Sequence, residues 1–338
     1  MVSDVVALAV QLMEIESISG REGALVGFVS ELLSSRGWRV ARIPVAADRD
    51  NVFATRRDGP YVTLSTHLDT VPPYIPPRVE ATRLWGRGAC DAKGIAAAMI
   101  CAAERLDARG VPVALLFVVG EEVTHDGAHA ANGWAARSGV ASRVLINGEP
   151  TESTLALGTK GAMRMTLRVR GVAAHSAYPN LGSSATRELV RLLAALDDID
   201  LPRDEVLGET TINIGVLSGG VADNVVAPWA EARLMARTIG PPEEVLARLR
   251  ALVGERGELQ QGITAPAVRL GVLPGYRTSV VAYATDIPAL TNWGTPYLFG
   301  PGSIHVAHRD DEHIELSALR SAVDVYERLA VEALARAG

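Results

Sequence analysis

Along the first 157 residues, short apolar runs alternate with longer stretches whose apolar positions follow a helical period. That period predicts helices over Val5–Glu14, Glu22–Arg36 and Ile95–Arg109, the last stopped by Gly110. The runs Tyr61–Thr66, Val113–Val119 and Arg143–Asn147 are rich in Val, Ile and Leu. The middle one is almost wholly apolar, as a strand covered on both faces must be. Strands alternating with helices imply an α/β unit with a mixed, mostly parallel sheet flanked by helices.

From Gly158 the pattern changes. Met163–Gly171 alternates apolar and basic residues, the mark of a half-exposed strand. A helix over Ser184–Leu196, strands over Thr210–Leu217 and Trp229–Thr238, and a helix over Pro242–Glu255 follow. Together they predict a small sheet with helices on one face, an inserted α+β domain over 158–265. The remainder returns to the first domain, with a helix over Thr278–Tyr283, a short strand at Tyr297–Phe299 and a closing amphipathic helix over Leu316–Ala337. The expected division is therefore 1–157 joined with 266–338, and 158–265 between them.

Composition narrows the function classes. A chain of 338 residues with 48% hydrophobic content is long enough for two domains. A formal net charge of -6 argues against a nucleic-acid or anionic-membrane surface, which needs clustered Lys and Arg. There is no apolar run of about 18 residues, and the start of the chain carries Asp4 with no basic stretch, so neither a membrane span nor export is expected. Cys90 and Cys101 are too few for a disulfide framework and fit a reducing, cytoplasmic location. Small-molecule or peptide chemistry is what this leaves.

In open α/β sheets, ligands collect beyond the carboxyl ends of the strands. His67-Leu68-Asp69 follows the first apolar run, and residues two apart on an extended chain share a side, so the carboxylate can orient the imidazole. Gly120-Glu121-Glu122 follows the second run and Gly148-Glu149-Pro150 the third, while Asp91 stands at the entrance of an apolar helix. Singly, each has an ordinary reading as a hydrogen-bonded pair or a solvated face. Several carboxylates at one sheet edge repel one another, however, and need a cation. A mixed His and carboxylate set suits Zn or Mn, with Co as a substitute, whereas Ca favours oxygen alone. Two ions about 3.5–4 Å apart, bridged by one carboxylate, generate a hydroxide at neutral pH. By chemistry alone either His305 or His308 can serve as a ligand. His125 and His129 have the i, i+4 spacing of a metal pair but no companion motif, and read as an exposed helix face. Cys90 reads as packing.

At these residues the chain resembles the M20 family of metallopeptidases and amidohydrolases, which includes acetylornithine deacetylase, succinyl-diaminopimelate desuccinylase, aminoacylase and several dipeptidases. The resemblance runs nearly end to end. It covers His67 to Pro72, Trp85-Gly86-Arg87-Gly88 leading to Asp91 and Lys93-Gly94, Gly120-Glu121-Glu122, and Gly148-Glu149-Pro150-Thr151. It continues through Gly171 with Ala174-His175-Ser176 to Gly300-Pro301-Gly302, Ala307-His308 and Asp311-Glu312.

The resemblance implies a zinc-exopeptidase-like catalytic domain carrying a ferredoxin-like dimerisation or lid domain. It implies two divalent ions, zinc with cobalt or manganese as alternatives, bridged by Asp91. His67 and Glu149 would complete one ion, Glu122 and His308 the other, with Asp69 orienting His67 and Glu121 as the general base. Asn224 and Arg237 match positions that bind a substrate carboxylate, for which Arg offers a bidentate fit. His175 matches a histidine that reaches a partner's active site, which implies a homodimer. The turn Gly300-Pro301-Gly302 would present backbone N–H groups to a carboxylate.

Glu149 in its Gly-Glu-Pro-Thr setting is similar to the deacetylase and desuccinylase branch, so an N-acyl amino acid, possibly within amino-acid biosynthesis, is the expected substrate. Dipeptide or aminopeptide cleavage, and release of lysine or ornithine from a carrier protein, are the alternatives. A non-catalytic interaction module would have lost ligands or base, and all are present.

Overall fold

The structure is a computed structural model and describes residues 4–59 and 61–337. The chain forms two compact units, Met1–Leu157 with Leu270–Ser279 and Thr285–Gly338, and Gly158–Arg269 with Val280–Ala284.

The first unit is built on a six-stranded sheet in the spatial order Arg39–Ala46, Arg49–Thr55, Val113–Val118, Tyr61–His67, Ser142–Asn147, Thr295–Leu298. The last four run parallel, and Arg49–Thr55 joins them antiparallel, so the sheet is mixed and mainly parallel. Its alternate side chains enter two cores. Leu115 and Phe117 pack with the helices Val5–Met13, Lys93–Ala108 and Leu316–Ala337, while Ala114, Leu116 and Val118 pack with Ala128 and Ala131 of the helix Asp126–Ser138. Covering on both faces is why Val113–Val118 is apolar at every position.

The helix Leu316–Ala337 has the bounds its apolar period predicts. The segment expected to be helical at Thr278–Tyr283 instead holds a strand, Thr278–Val281. Its Thr-Ser-Val-Val sequence is β-branched at three of four positions, which favours the pleated conformation.

The second unit follows a β-α-β-β-α-β order. Ala162–Arg170, Thr211–Gly219, Trp229–Arg237 and Glu258–Ala265 form an antiparallel sheet in the order Thr211–Gly219, Trp229–Arg237, Ala162–Arg170, Glu258–Ala265. Met163, Met165, Leu167 and Val169 alternate into a core with the helices Ala185–Ala194 and Pro242–Val253, leaving Arg164, Arg168 and Arg170 on the open face. The fourth strand, Glu258–Ala265, carries no hydrophobic alternation, so the sequence pattern does not mark it.

Candidate metal centre

Parallel strands end on the same side, so their following loops gather there. Tyr61–His67 delivers His67 from the middle of the sheet, Val113–Val118 delivers Glu121 and Glu122 on one flank, and Ser142–Asn147 delivers Glu149 on the other. Asp91 immediately precedes the helix Lys93–Ala108. His308 adopts a left-handed backbone with φ 64°.

The side chains converge around Asp91. His67 Nε2 lies 3.0 Å from Asp91 Oδ1, and His308 Nε2 lies 3.2 Å from Asp91 Oδ2. The same His308 nitrogen is 3.0 Å from Glu122 Oε2. Each oxygen of one carboxylate therefore faces a different imidazole. His305, by contrast, is exposed, and among the described residues no ion pair or hydrogen bond links its side chain to these groups.

Asp69 orients His67 through its backbone carbonyl, which accepts from Nδ1 at 2.9 Å. A carbonyl only accepts, so Nδ1 carries the hydrogen and Nε2 is the atom left to bind. The Asp69 carboxylate does further work: it accepts from Ser19 Oγ at 2.8 Å and from the N–H groups of Glu121 and Glu122 at 3.1 and 3.2 Å. It thereby fixes the loop bearing both glutamates relative to His67.

Electrostatics record a cluster built for positive charge. Burial, then the neighbouring charge of Glu149, pushes Glu121 well above the usual carboxylate range. Burial does the same for Glu149, reinforced by Asp91. Burial also raises Glu122, with the Asp91 charge adding to it against the His308 hydrogen bond. Hydrogen bonds to Asp91 and Glu122 push His308 up to about 10. Burial opposes the lowering of Asp91, yet hydrogen bonds from His308 and His67 hold it below its ordinary value. Glu149 Oε1 is buried with no hydrogen-bond partner, an atom that wants a cation or a proton. An orphaned carboxylate oxygen beside a carboxylate shared by two imidazoles fits a bound divalent metal, with His67, Asp91 and Glu122 as one compact ligand group.

The family model described as Peptidase family M20/M25/M40 matches residues 63–332. The chain belongs to peptidase family M20. A protein of Paracoccidioides brasiliensis named probable carboxypeptidase is 37% identical over 381 residues, covering 99% of this chain and 86% of its own. A tripeptidase of Staphylococcus aureus has a TM-score of 0.81 at 20% identity, covering 97% of this chain and 98% of its own. A Bacillus subtilis protein described as a dinuclear metal binding peptidase of the M20 family has a TM-score of 0.71 at 15% identity, covering 97% and 96%. The chain is thus an M20 metal-dependent hydrolase, and no helix among its described residues is long and apolar enough to cross a membrane.

Other expected residues of this M20 chain fall in different surroundings. Gly300 is needed for close packing, since a Cβ there would lie 2.3 Å from the Glu149 carbonyl oxygen. Its N–H donates to Thr151 Oγ1 at 3.0 Å, so the turn expected to offer Gly300 and Gly302 amides to a carboxylate has that first donor engaged. In the second unit, His175 and Asn224 are exposed neighbours. His175 bridges to Val225, and Ser176 N–H donates to the Asn224 carbonyl at 2.9 Å. Arg237 lies half-buried at the end of its strand.

His125 and His129 do not share a helix face. His125 is the N-cap residue of Asp126–Ser138 and turns toward Asp286 instead. Cys90 is buried, with its thiol 3.7 Å from Glu312, as packing requires.

Two supporting residues were not found by reading the sequence as ligands. Glu312 accepts from the N–H groups of Gly88, Cys90 and Asp91 at 2.9, 3.3 and 3.3 Å, and pairs with buried Arg87 at 2.7 Å. It therefore holds the loop that presents Asp91. Its motif was visible in the sequence, but its partners more than 220 positions away were not.

Proposed function

We propose that this chain hydrolyses the amide bond next to a free α-carboxylate, using two divalent ions, zinc or in its place cobalt or manganese. The observation that carries this reading is Asp91, whose two oxygens face His67 and His308 separately, with the unpartnered Glu149 oxygen close by in charge. Asp91 with His67 and Glu149 would hold one ion, and Asp91 with Glu122 and His308 the other. When bound, such a pair of ions polarises the scissile carbonyl and lowers the pKa of the attacking water.

The chain's own residues do the rest. Glu121, beside the ligands and without a hydrogen bond on its carboxylate among the described residues, takes a proton from the attacking water and delivers it to the leaving amine. Asp69 holds Glu121, Glu122 and His67 in register. Arg237 with Asn224 binds the substrate carboxylate, and His175 stabilises the oxyanion in a partner subunit. An exposed edge strand, Thr211–Gly219, with Ile214, Val216 and Leu217 open to solvent, supports pairing with a second copy as a homodimer.

An N-acyl amino acid and a peptide C-terminus present the same bond, a carbonyl joined to the nitrogen of a residue with a free carboxylate. The Glu149-Pro150-Thr151 setting supports the deacylase form, and relatives named probable carboxypeptidase support the peptide form. The test is a panel of N-acetyl and N-succinyl amino acids and short peptides, each with a free or an amidated C-terminus. Metal-dependent release of the terminal amino acid, lost on amidation, is expected. Equal turnover of the amidated substrates overturns the carboxylate requirement.

A further inference from the structure

Beside the Asp91 group, the described residues hold a second convergence of ligating atoms: Glu121, His125 and Asp286. His125 Nδ1 lies 2.8 Å from Asp286 Oδ1 and 4.0 Å from Glu121 Oε1. The side chains of Asp286 and Glu121 are only 2% and 11% exposed. His125 reaches them from a left-handed backbone with φ 54°, a conformation uncommon outside glycine. Asp286 arrives from 161 positions away, so the tertiary fold alone brings the three together.

Charge balance shows what is missing there. Asp69, Asp91, Glu121, Glu122, Glu149 and Asp286 are all buried or nearly so, and among the described residues none pairs with a lysine or arginine. Two dications on the ligands of the proposed reaction neutralise about four of these charges. Glu121 and Asp286 remain, and among the described residues the one cationic group paired with both is His125, hydrogen-bonded to Asp286; a dication would take its ring nitrogen in place of a proton. One imidazole and two carboxylates form a donor set suited to a borderline dication, with water completing its shell.

We propose that Glu121, His125 and Asp286 form a further divalent-metal site, filled when zinc or manganese is in excess, and that filling it withdraws Glu121 from catalysis. The binding half stands on these residues alone; the inhibitory half rests on Glu121 acting as the base. A carboxylate bound to a dication is a poor proton acceptor, because the neighbouring charge favours its ionised form. The enzyme would then pass through an optimum of metal concentration and be inhibited by the ion that activates it.

The test is equilibrium dialysis of the metal-stripped full chain against rising Zn²⁺, with bound metal read by elemental analysis. The wild type is expected to saturate at about three ions per chain, and His125→Gly and Asp286→Asn at about two. Glycine suits the positive φ at position 125, and the asparagine variant keeps the answer independent of how that one folds. Wild-type turnover is expected to fall roughly tenfold as the last ion binds, and not in either variant. Saturation of the wild type at two ions, or a full complement in both variants, overturns the site. Three ions with undiminished turnover overturns the inhibitory half, and absence of turnover at every metal level overturns the proposed reaction while the stoichiometry still decides the site.

Discussion

Asp69→Asn removes one charge and changes no volume, so it isolates what that carboxylate does. The side chain is fully buried and accepts three hydrogen bonds, from Ser19 Oγ and from the N–H groups of Glu121 and Glu122. In the amide variant one oxygen becomes an NH₂, which faces a backbone N–H that has lost its acceptor. An orphaned buried donor costs about 1–3 kcal/mol, and each surviving bond that falls from charge-assisted to neutral loses about 1 kcal/mol. The metal-free protein should therefore lose about 3–5 kcal/mol of stability. The His67 imidazole keeps its bond to the backbone carbonyl of residue 69, but the freed loop carries Glu122, so Zn²⁺ affinity should fall roughly 10–100-fold. Urea unfolding of the stripped protein and a competitive titration against a chelating dye measure the two effects. A loss below about 1 kcal/mol with affinity within about twofold of wild type would refute the assignment of Asp69 as the residue that ties the loop to the histidine.

Three further outcomes follow from the geometry. Gly300→Ala places a Cβ 2.3 Å from the Glu149 carbonyl oxygen, so it should destabilise by about 1–3 kcal/mol and weaken metal binding, and an unchanged thermal melt would contradict this. Burial pushes the Lys93 ammonium down from 10.5 to about 8, so between those values the unfolded chain binds more protons than the folded one and stability rises with pH. Denaturant unfolding of wild type and Lys93→Met across that window should show the difference shifting by about 3 kcal/mol in favour of wild type, whereas a constant difference would contradict the buried charge. His308, raised to about 10 by Asp91 and Glu122 in the metal-free chain, must lose a proton before its Nε2 can ligate. Zn²⁺ affinity should therefore climb with pH, about tenfold per unit for each proton displaced, and a titration series from about pH 6 to pH 8 that shows no slope would contradict it.

What could be read in the sequence divides along physical lines. The strands Tyr61–His67, Val113–Val118 and Ser142–Asn147 are covered by helices on both faces, so their apolar runs and the polar residues after them stood out. Those polar residues supplied His67, Asp69, Glu121, Glu122 and Glu149. The edge strands Arg39–Ala46 and Glu258–Ala265 were not legible, because each is largely exposed and its side chains carry no hydrophobic period. Thr278–Val281 is not legible as a strand, because four residues are too short for either period to declare itself. Partners set by tertiary folding left no local trace: His125 meets Asp286 across 161 positions, and Glu312 holds the Asp91 loop from 221 positions away. The engagement of the Gly300 N–H left no local trace for a related reason, since its acceptor, Thr151, lies 149 positions earlier.

The most direct test of the central claim is Glu121→Gln, which keeps the shape of the side chain and removes its basicity. Metal stoichiometry at low free Zn²⁺ and kcat on the best substrate of the panel should be measured together. The account predicts that the first two equivalents of metal stay bound while kcat falls by about 10²–10⁴. A variant that turns over within a few-fold of wild type, or that loses those ions along with its activity, would contradict the role of Glu121 as a base standing beside the metals rather than on them.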